Sequence, residues 1–561
     1  MRNKFIVFCF LLLMFAGVLT IATAAGKPDL FFLTAGNYKS DTELPSDSIK
    51  CWLSYTGKGY IFLPSSCKAD QLYIYFDSRD SLLLDNTEVR SGDAVSLTPG
   101  QEIRVSGSGF ASFTITVLQS SNIPAVFINT ESGSMDTVHQ KKGNKEAGSM
   151  NMVNADGTVE YSGPLKYIKS RGNSTFAYSK KPYQIKLESS ASLCGMAKNK
   201  TFILLANYLD RSEIRNTLAY DLARFSGAYA FTPKCQSVDL YLNHIYAGCY
   251  LLTEKCEIDN DRLNITNLES AVEKINSDPL EIYPFVGKKH YNIGATRSYN
   301  IPNEPDDITG GYLIMANNTE YFQNEASGFV TSRGQAFTMQ SPKYASTLQI
   351  EYISGIMQQI ENALFAKDGR DPATGKHYSE LLDMKSFVNR YLQSETLNDF
   401  DGQYPYYYKD SDAVDSMVYC GPVWDQDNIL GVSARRPGAN YLSLDREQKR
   451  AYFWFTQAVK QPDFREEMIR TYYSVYRPAY LILLGEETDK TGTLRSIDQY
   501  MEEIRDSAVM DHTRWSRTTW NQKSGGNTHA GETPEECAAF LKEFIRTHMA
   551  TMDKAYSVPN N

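Results

Sequence analysis

The amino-acid sequence predicts an α+β protein that starts with a signal peptide and an all-β module. Three features carry this prediction. An apolar run opens the chain, short β-rich runs fill residues 27–120, and strands followed by many helices occupy residues 123–560. A chain of 561 residues is also too long for one compact core, so we expect more than one domain.

The first 24 residues have the pattern of a secretory signal peptide. Arg2 and Lys4 precede an apolar run from Phe5 to Val18, and Ala22-Thr23-Ala24 offers a cleavage site. The alternative is an uncleaved membrane anchor, for which the run is short. We therefore expect a secreted, extracellular or cell-surface protein with no transmembrane span after cleavage.

The sequence of residues 27–120 predicts a β-sandwich-like accessory module. Runs rich in aromatic and branched residues alternate with turns such as Thr98-Pro99-Gly100, as in small sandwich domains. The module contains no cluster of catalytic residue types. The predicted strands include Gln71–Phe76, Glu102–Ser106 and Ala111–Leu118.

The second domain, residues 123–560, begins with strands around one helix. Ile214, Leu218 and Leu222 recur at helical spacing and predict a helix over Ser212–Arg224, capped by Ser212 or Asp210. A turn at Asn243-His244 joins two strands into a hairpin. The predicted strands are Pro124–Asn129, Asn151–Val153, Leu165–Lys169, Tyr183–Leu187, Ser237–Leu242 and Gly248–Thr253.

The rest of this domain reads as mainly helical, with an irregular polar loop at residues 279–307. The helices are predicted from apolar residues at helical spacing. They are Thr347–Phe365, Met384–Asn398, Ala451–Gln457, Phe464–Leu484, Ser496–Ser507 and Glu535–Tyr556.

The charge, the cysteine spacing and the missing motifs argue against several classes of function. A net charge of −9 argues against a general nucleic-acid binder, so we expect no nucleic-acid partner. Eight cysteines follow the signal and show no zinc-binding spacing. Cys51 and Cys67 could bridge within the first module, and free thiols are the alternative. The sequence also lacks the GxSxG, HExxH, Walker and GxGxxG signatures.

The densest cluster of acids flanks a predicted hairpin. Asp401 precedes the strand Tyr406–Lys409, and Asp425 and Asp427 follow the strand Met417–Cys420. Because the ends of antiparallel strands lie close together, Asp401 and Asp425 are expected to converge. Phosphoryl transfer uses such a pair: one Asp positions the attacking hydroxyl and the other holds magnesium. A calcium site or solvated turn acids are the alternatives.

A phosphoryl-transfer site also needs cations for the phosphates. Lys186 lies in a predicted strand ahead of the helix, where the small lobe of a kinase carries its lysine. Lys180, Lys181 and Arg171 lie in neighbouring loops, and any of the four could serve.

Several separated motifs resemble the spore-coat protein H (CotH) family of atypical protein kinases. The resemblance covers roughly residues 123–556, and the motifs follow one another in the family's order. They are Ile168–Phe176 (IKSRGNSTF), Lys181–Leu187 (KPYQIKL), Leu204–Tyr208 (LLANY), Arg215-Asn216 with Leu218-Ala219-Tyr220, Gly248–Lys255 (GCYLLTEK) and Gly421–Asp427 (GPVWDQD).

The resemblance implies an atypical protein-kinase-like two-lobed fold that uses ATP and Mg²⁺ or Mn²⁺. Members phosphorylate serines of spore-coat proteins, and some relatives act as surface adhesins. It implies that Asp401 is the catalytic residue and that Asp425, with Asp427, binds the metal. Glu254 and Lys255 fall at the position of a kinase hinge, where they either lie near the nucleotide or pair with each other.

The chain departs from the family pattern at several positions. Asp399 stands where the family usually has Asn, and Gln426 stands where it has Phe. Met315 replaces an acid that often follows Gly-Gly-Tyr-Leu-Ile. Tyr406 occupies the position at which kinases of the ordinary type carry a metal-binding Asn.

The sequence therefore favours an exported kinase that acts on hydroxyl side chains, chiefly Ser and Thr, of secreted or surface proteins. A catalytically inactive relative that serves in adhesion or as a structural coat protein is the main alternative. A kinase for a sugar or another small molecule is a third.

Overall fold

The computed structural model describes residues 27–33, 44–77, 81–399, 404–431, 454–515 and 531–557. They divide into two compact units. The first comprises the described residues within 1–188, 237–250 and 503–516, and the second comprises the remainder. Within the described ranges no helix is both long and apolar enough to cross a membrane. The predicted signal peptide lies outside them.

The N-terminal part of the first unit forms two sheets, as the all-β prediction for residues 27–120 requires. The sheets have the orders β2-β1-β5-β8 and β3-β4-β10-β9-β6-β7. Their strands are β1 (Phe31–Leu33), β2 (Ile49–Lys50), β3 (Trp52–Leu53), β4 (Gly59–Leu63), β5 (Leu72–Tyr75), β6 (Leu82–Leu84), β7 (Thr87–Val89), β8 (Ala94–Val95), β9 (Glu102–Gly107) and β10 (Phe113–Gln119).

Seven longer strands and two helices follow. Strand β11 pairs antiparallel with β12 and parallel with β16, and β13 pairs with both β12 and β14. In the second unit, β15 pairs with the Leu251–Glu254 part of β17. The elements are β11 (Ala125–Thr130), α1 (Asp136–Gln140), β12 (Lys145–Val153), β13 (Val159–Ser170), β14 (Tyr183–Ala191), β15 (Asn199–Leu205), α2 (Arg215–Ser226), β16 (Cys235–Leu242) and β17 (Ile245–Glu254).

The N-terminal sheets share a hydrophobic core with the β16–β17 hairpin inside the first unit. Phe62 stacks on Tyr246, with ring centroids 4.7 Å apart. The hydroxyl of Tyr241 donates to the carbonyl oxygen of Phe62 over 2.9 Å. Removing these sheets would therefore expose apolar surface on the hairpin.

The second unit contains a seven-stranded sheet of order β18-β19-β21-β22-β20-β23-β24. The prediction of an irregular loop at residues 279–307 is wrong in part, because β18 and β19 lie there. These strands are too short to show a periodic pattern. The strands are β18 (Phe285–Gly287), β19 (Thr296–Tyr299), β20 (Tyr312–Asn317), β21 (Gly328–Val330), β22 (Ala336–Ser341), β23 (Tyr406–Lys409) and β24 (Val418–Cys420).

Helices make up much of the rest. Helix α5 has the predicted bounds and begins with a capping box. The backbone N–H of Gln349 donates to Ser346 Oγ, and the backbone N–H of Ser346 donates to Gln349 Oε1. The helices are α3 (Leu268–Ile275), α4 (Thr319–Asn324), α5 (Thr347–Phe365), α6 (Met384–Thr396), α7 (Phe455–Ala458), α8 (Pro462–Thr471), α9 (Arg477–Leu484), α10 (Ile497–Arg514) and α11 (Pro534–Tyr556), with a π-helical turn at Tyr472–Tyr476 and 3₁₀ turns at Ser174–Ala177, Leu280–Ile282 and Tyr378–Glu380.

The mixed α+β class is thus confirmed. Cys51 and Cys67 are buried free thiols, which agrees with the alternative to a bridge between them. Burial raises the pKa of both thiols to about 12, so neither is a reactive thiolate.

Candidate active site

The predicted hairpin before Asp425 is confirmed. Strands β23 and β24 pair antiparallel, with Tyr407 opposite Cys420. Beyond β24, Val423 enters a core cluster with Ile203 and Leu251. The chain is therefore anchored by apolar packing immediately before the acidic turn.

Asp425 is presented to solvent by a turn whose neighbours are packed. The Trp424 ring stacks on Tyr220, with centroids 6.3 Å apart. Gln426 is buried, whereas Asp425 is exposed and has a left-handed backbone with φ +60°. Non-glycine residues adopt this conformation rarely, and it recurs at functional sites. The turn therefore projects one carboxylate outward from a fixed base.

Helix α2 holds this turn through a buried amide. Asn216 Oδ1 accepts a 2.8 Å hydrogen bond from the backbone N–H of Gln426. Asn216 Nδ2 donates in turn to Asn207 Oδ1 over 3.0 Å. Buried polar groups are costly unless they are paired, so this chain of bonds fixes the register between the helix and the turn.

Arg215 secures the far end of the same segment. Its guanidinium is fully buried, forms an ion pair with Asp210 and donates from Nε to the carbonyl oxygen of Ile429 over 2.9 Å. The Asp210 carboxylate also accepts from the backbone N–H of Arg215 at the start of α2. The N-cap position itself is Ile214, so the prediction of Ser212 or Asp210 as the cap is wrong, and Asp210 reaches the first helical N–H from four residues upstream of Ile214.

Two of the departures from the family pattern contact each other. Gln426 Nε2 donates to Asp399 Oδ2 over 2.8 Å. Asp399 is itself fully buried, and its carboxylate lies 3.8 Å from the guanidinium of Arg390 on helix α6. A carboxylate at position 399 and an amide donor at position 426 are therefore complementary.

The metal role predicted for Asp425 and Asp427 fits the chemistry of the turn. The two carboxylates lie two positions apart, with Asp427 half-buried. Magnesium is commonly held by one or two protein carboxylates, with phosphates and water as its other ligands. Among the described residues there is no group of three or more His, Cys, Asp or Glu that could hold a metal alone. Asp401 lies outside the described residues.

All four predicted cations lie in the first unit. Lys180 is buried, forms a 2.6 Å ion pair with Asp511 and donates to the carbonyl oxygen of Cys249. Lys181 donates to the carbonyl oxygens of Phe176 and Tyr178. Lys186 is half-buried on β14 and Arg171 is half-buried in the loop after β13.

Glu254 and Lys255, predicted near the hinge of a kinase, lie in the second unit and have separate partners. The buried Glu254 carboxylate accepts from the backbone N–H groups of Ala197 and Lys234 over 2.7 and 2.8 Å. Lys255 forms an ion pair with Glu257. Glu254 therefore ties two loops to the end of β17.

Sequence reasoning missed the contribution of Arg390 and the role of Asn216 as a backbone acceptor. Both are buried polar residues on helices whose buried positions mix apolar and polar side chains. Such residues are usually hydrogen-bonded. That irregularity in the helical pattern was the available signal, but it does not identify the partner.

The structure is thus an α+β protein in which an acidic turn with an exposed Asp425 follows a β-hairpin. The family model described as CotH kinase protein matches residues 168–552, so this chain belongs to that family. Membership indicates a kinase-like phosphotransferase function, which in general uses ATP and a divalent metal. No curated protein matches the chain.

Proposed function

We propose that this protein is an exported kinase with an atypical two-lobed kinase-like fold. It transfers the γ-phosphoryl group of ATP to hydroxyl side chains, chiefly Ser and Thr, of secreted or surface proteins, including those of a spore coat. The observation that carries the proposal is the exposed Asp425 on its left-handed turn, held by Asn216 and Gln426. A backbone conformation that costs free energy persists where its surroundings over-determine it, as at active sites.

In this proposal, Asp425 and Asp427 hold Mg²⁺ or Mn²⁺ through their carboxylate oxygens. The metal, when bound, neutralises charge on the phosphates of ATP. Asn216 and Gln426 keep the Asp425 turn in place, so the turn loses little conformational entropy when nucleotide binds. The carboxylate of Asp401 orients the attacking hydroxyl and accepts its proton.

Lys186 and Arg171 are the proposed cations for the phosphate groups. Lys180 is less suited to bind phosphate, because its ammonium group already forms a buried ion pair with Asp511. Moving a buried ion-paired lysine onto a ligand would leave Asp511 buried and uncompensated. Glu254 serves the nucleotide site indirectly, since its carboxylate fixes the backbone beside Ala197 and Lys234. Lys255 follows at the proposed hinge.

The test is phosphotransfer from labelled ATP, with Mg²⁺ or Mn²⁺, to the extracellular proteins of the producing cells. Asp401→Asn is expected to lower transfer at least about a hundredfold, because general-base catalysis is lost. ATP affinity is expected to stay within about tenfold, since Asp401 acts on the hydroxyl rather than on the nucleotide. The control is Asp85→Asn, the same substitution at an exposed turn of the N-terminal sheets.

Undiminished transfer by Asp401→Asn would contradict the role given to that residue. A wild-type protein that binds no nucleotide would instead favour the inactive adhesion or coat-structural alternative.

A further inference from the structure

We propose that Gln426 is a positioning residue, oriented by Asp399, that sets the geometry of the metal-binding carboxylate of Asp425. The inference rests on the proposed function and adds to it a pair of residues that fixes how tightly the site holds its divalent metal.

The carboxamide of Gln426 has a single orientation. Asp399 Oδ2 accepts a hydrogen bond over 2.8 Å, so the atom that faces it must be the donor Nε2. The same Nε2 lies 3.4 Å from the carbonyl oxygen of Trp424 and 3.3 Å from that of Asp425. The other atom, Oε1, is buried and has no partner among the described residues. The Asp399 contact therefore determines how the whole side chain lies.

This arrangement holds the peptide group between Asp425 and Gln426 from both sides. Its carbonyl oxygen is approached by Gln426 Nε2, and its N–H donates to Asn216 Oδ1 over 2.8 Å. Rotation of a peptide plane changes ψ of the preceding residue. Fixing this plane therefore fixes the direction in which Asp425, at φ +60°, presents its carboxylate.

Asp399 is itself supported from helix α6. Its backbone N–H donates to the carbonyl oxygen of Ser394 over 2.8 Å, and Arg390 lies opposite its carboxylate. Both charged groups are buried. An acceptor held in this way requires a donor at position 426, which glutamine supplies and glutamate does not.

The experiment compares Gln426→Glu with Gln393→Glu. Gln393 is a matched control: it is fully buried, its Nε2 donates to the carbonyl oxygen of Ala219, and its Oε1 has no partner among the described residues. A third variant, Asp399→Asn with Gln426→Glu, exchanges donor and acceptor and keeps the net charge. Two readouts are taken: the Mg²⁺ concentration that gives half of the thermal stabilisation by ATP, and amide hydrogen exchange in the peptide Gly421–Gly431.

We expect Gln426→Glu to raise the half-saturating Mg²⁺ concentration at least about tenfold and to speed exchange in Gly421–Gly431, because two carboxylates would then face each other. Gln393→Glu should change neither readout beyond about twofold. The exchanged pair should return both readouts to within about threefold of wild type, because the amide introduced at position 399 would donate to the carboxylate introduced at position 426.

The inference is overturned if Gln426→Glu leaves exchange in Gly421–Gly431 unchanged, or if the exchanged pair is no better than the single variant. It is also overturned if Gln426→Glu speeds exchange in Gly421–Gly431 while ATP stabilises the variant as it does the wild type and the half-saturating Mg²⁺ concentration is unchanged. Failure of the proposed function looks different: the wild type itself shows no Mg²⁺-dependent response to ATP. A metal-positioning role for Gln426 then falls with it.

Discussion

The backbone N–H of Gln426 donates to Asn216 Oδ1 over 2.8 Å, and this bond joins residues 210 positions apart in the chain. It connects helix α2 to the turn that carries Asp425. Two of the motifs that resemble the family, Arg215-Asn216 and Gly421–Asp427, are therefore parts of one structural unit.

Asn216→Ala is expected to destabilise the fold by about 1–3 kcal/mol, because the N–H of Gln426 and Oδ1 of Asn207 would both lose a buried partner. It should also weaken Mg²⁺-dependent ATP binding, since the turn is released. Urea unfolding and nucleotide titration measure the two effects. Asn389→Ala is the control, because Asn389 is equally buried and hydrogen-bonded on α6. Equal loss of ATP binding in both variants would contradict a specific role for Asn216.

Gly248 is expected to tolerate no side chain. It has φ +129°, and a Cβ atom would collide with Asp511 Oδ1 and lie 2.8 Å from Lys180 Cε, between the partners of a buried ion pair. Gly248→Ala should cost at least about 3 kcal/mol, the range seen when a buried ion pair is broken. Gly100→Ala, at an exposed turn with φ +85° and free space around it, should cost only about 1–2 kcal/mol. Equal unfolding midpoints for the two variants would show that a Cβ atom at position 248 does not collide with Asp511.

Asp239 should make folding stability depend on pH. Its carboxylate is buried and accepts from Tyr246 and Ser507, and burial raises its pKa from 3.8 to about 6. A raised pKa in the folded state means that its stabilising contribution is complete below about pH 4 and is lost as the pH rises through about 6. Asp239→Asn removes this titration.

The free energy of unfolding of wild type minus that of Asp239→Asn should therefore fall by up to about 3 kcal/mol between about pH 4 and about pH 7. Chemical denaturation at a series of pH values measures the difference. A difference that is constant with pH, or that grows as the pH rises, would show that Asp239 does not titrate in this way.

Much of the secondary structure follows from local pattern. Helix α5 has the predicted bounds because its apolar spacing and its capping residues agree. The turn at Asn243 and His244 is also found, and both residues have the positive φ that a tight hairpin requires. Helix α10, by contrast, continues to Arg514, past the predicted end at Ser507, and both Ser507 and Asp511 make buried polar contacts.

Less of the site could be predicted. The acids after the hairpin are visible as a cluster in the sequence, so Asp425 was a natural candidate. The contact between Asp399 and Gln426 was not accessible, because each looks like an isolated polar substitution until the fold brings them together. Lys180 illustrates the reverse case, since a lysine in a polar loop proves to be buried against Asp511. Long-range pairing of polar groups leaves no periodic trace.

The Mg²⁺-dependent thermal stabilisation by ATP in Asp425→Asn tests the proposed metal site most directly. Asparagine keeps the shape of the side chain and tolerates a positive φ, so the fold should be preserved while the carboxylate charge is lost. Asp85→Asn is the control, because Asp85 is also exposed and has φ +55°. We predict that the Mg²⁺-dependent part of the stabilisation disappears in Asp425→Asn and is unchanged in Asp85→Asn, because a lost site removes the linked stabilisation. A folded Asp425→Asn variant with the same Mg²⁺-dependent response as wild type would contradict the assignment of this site.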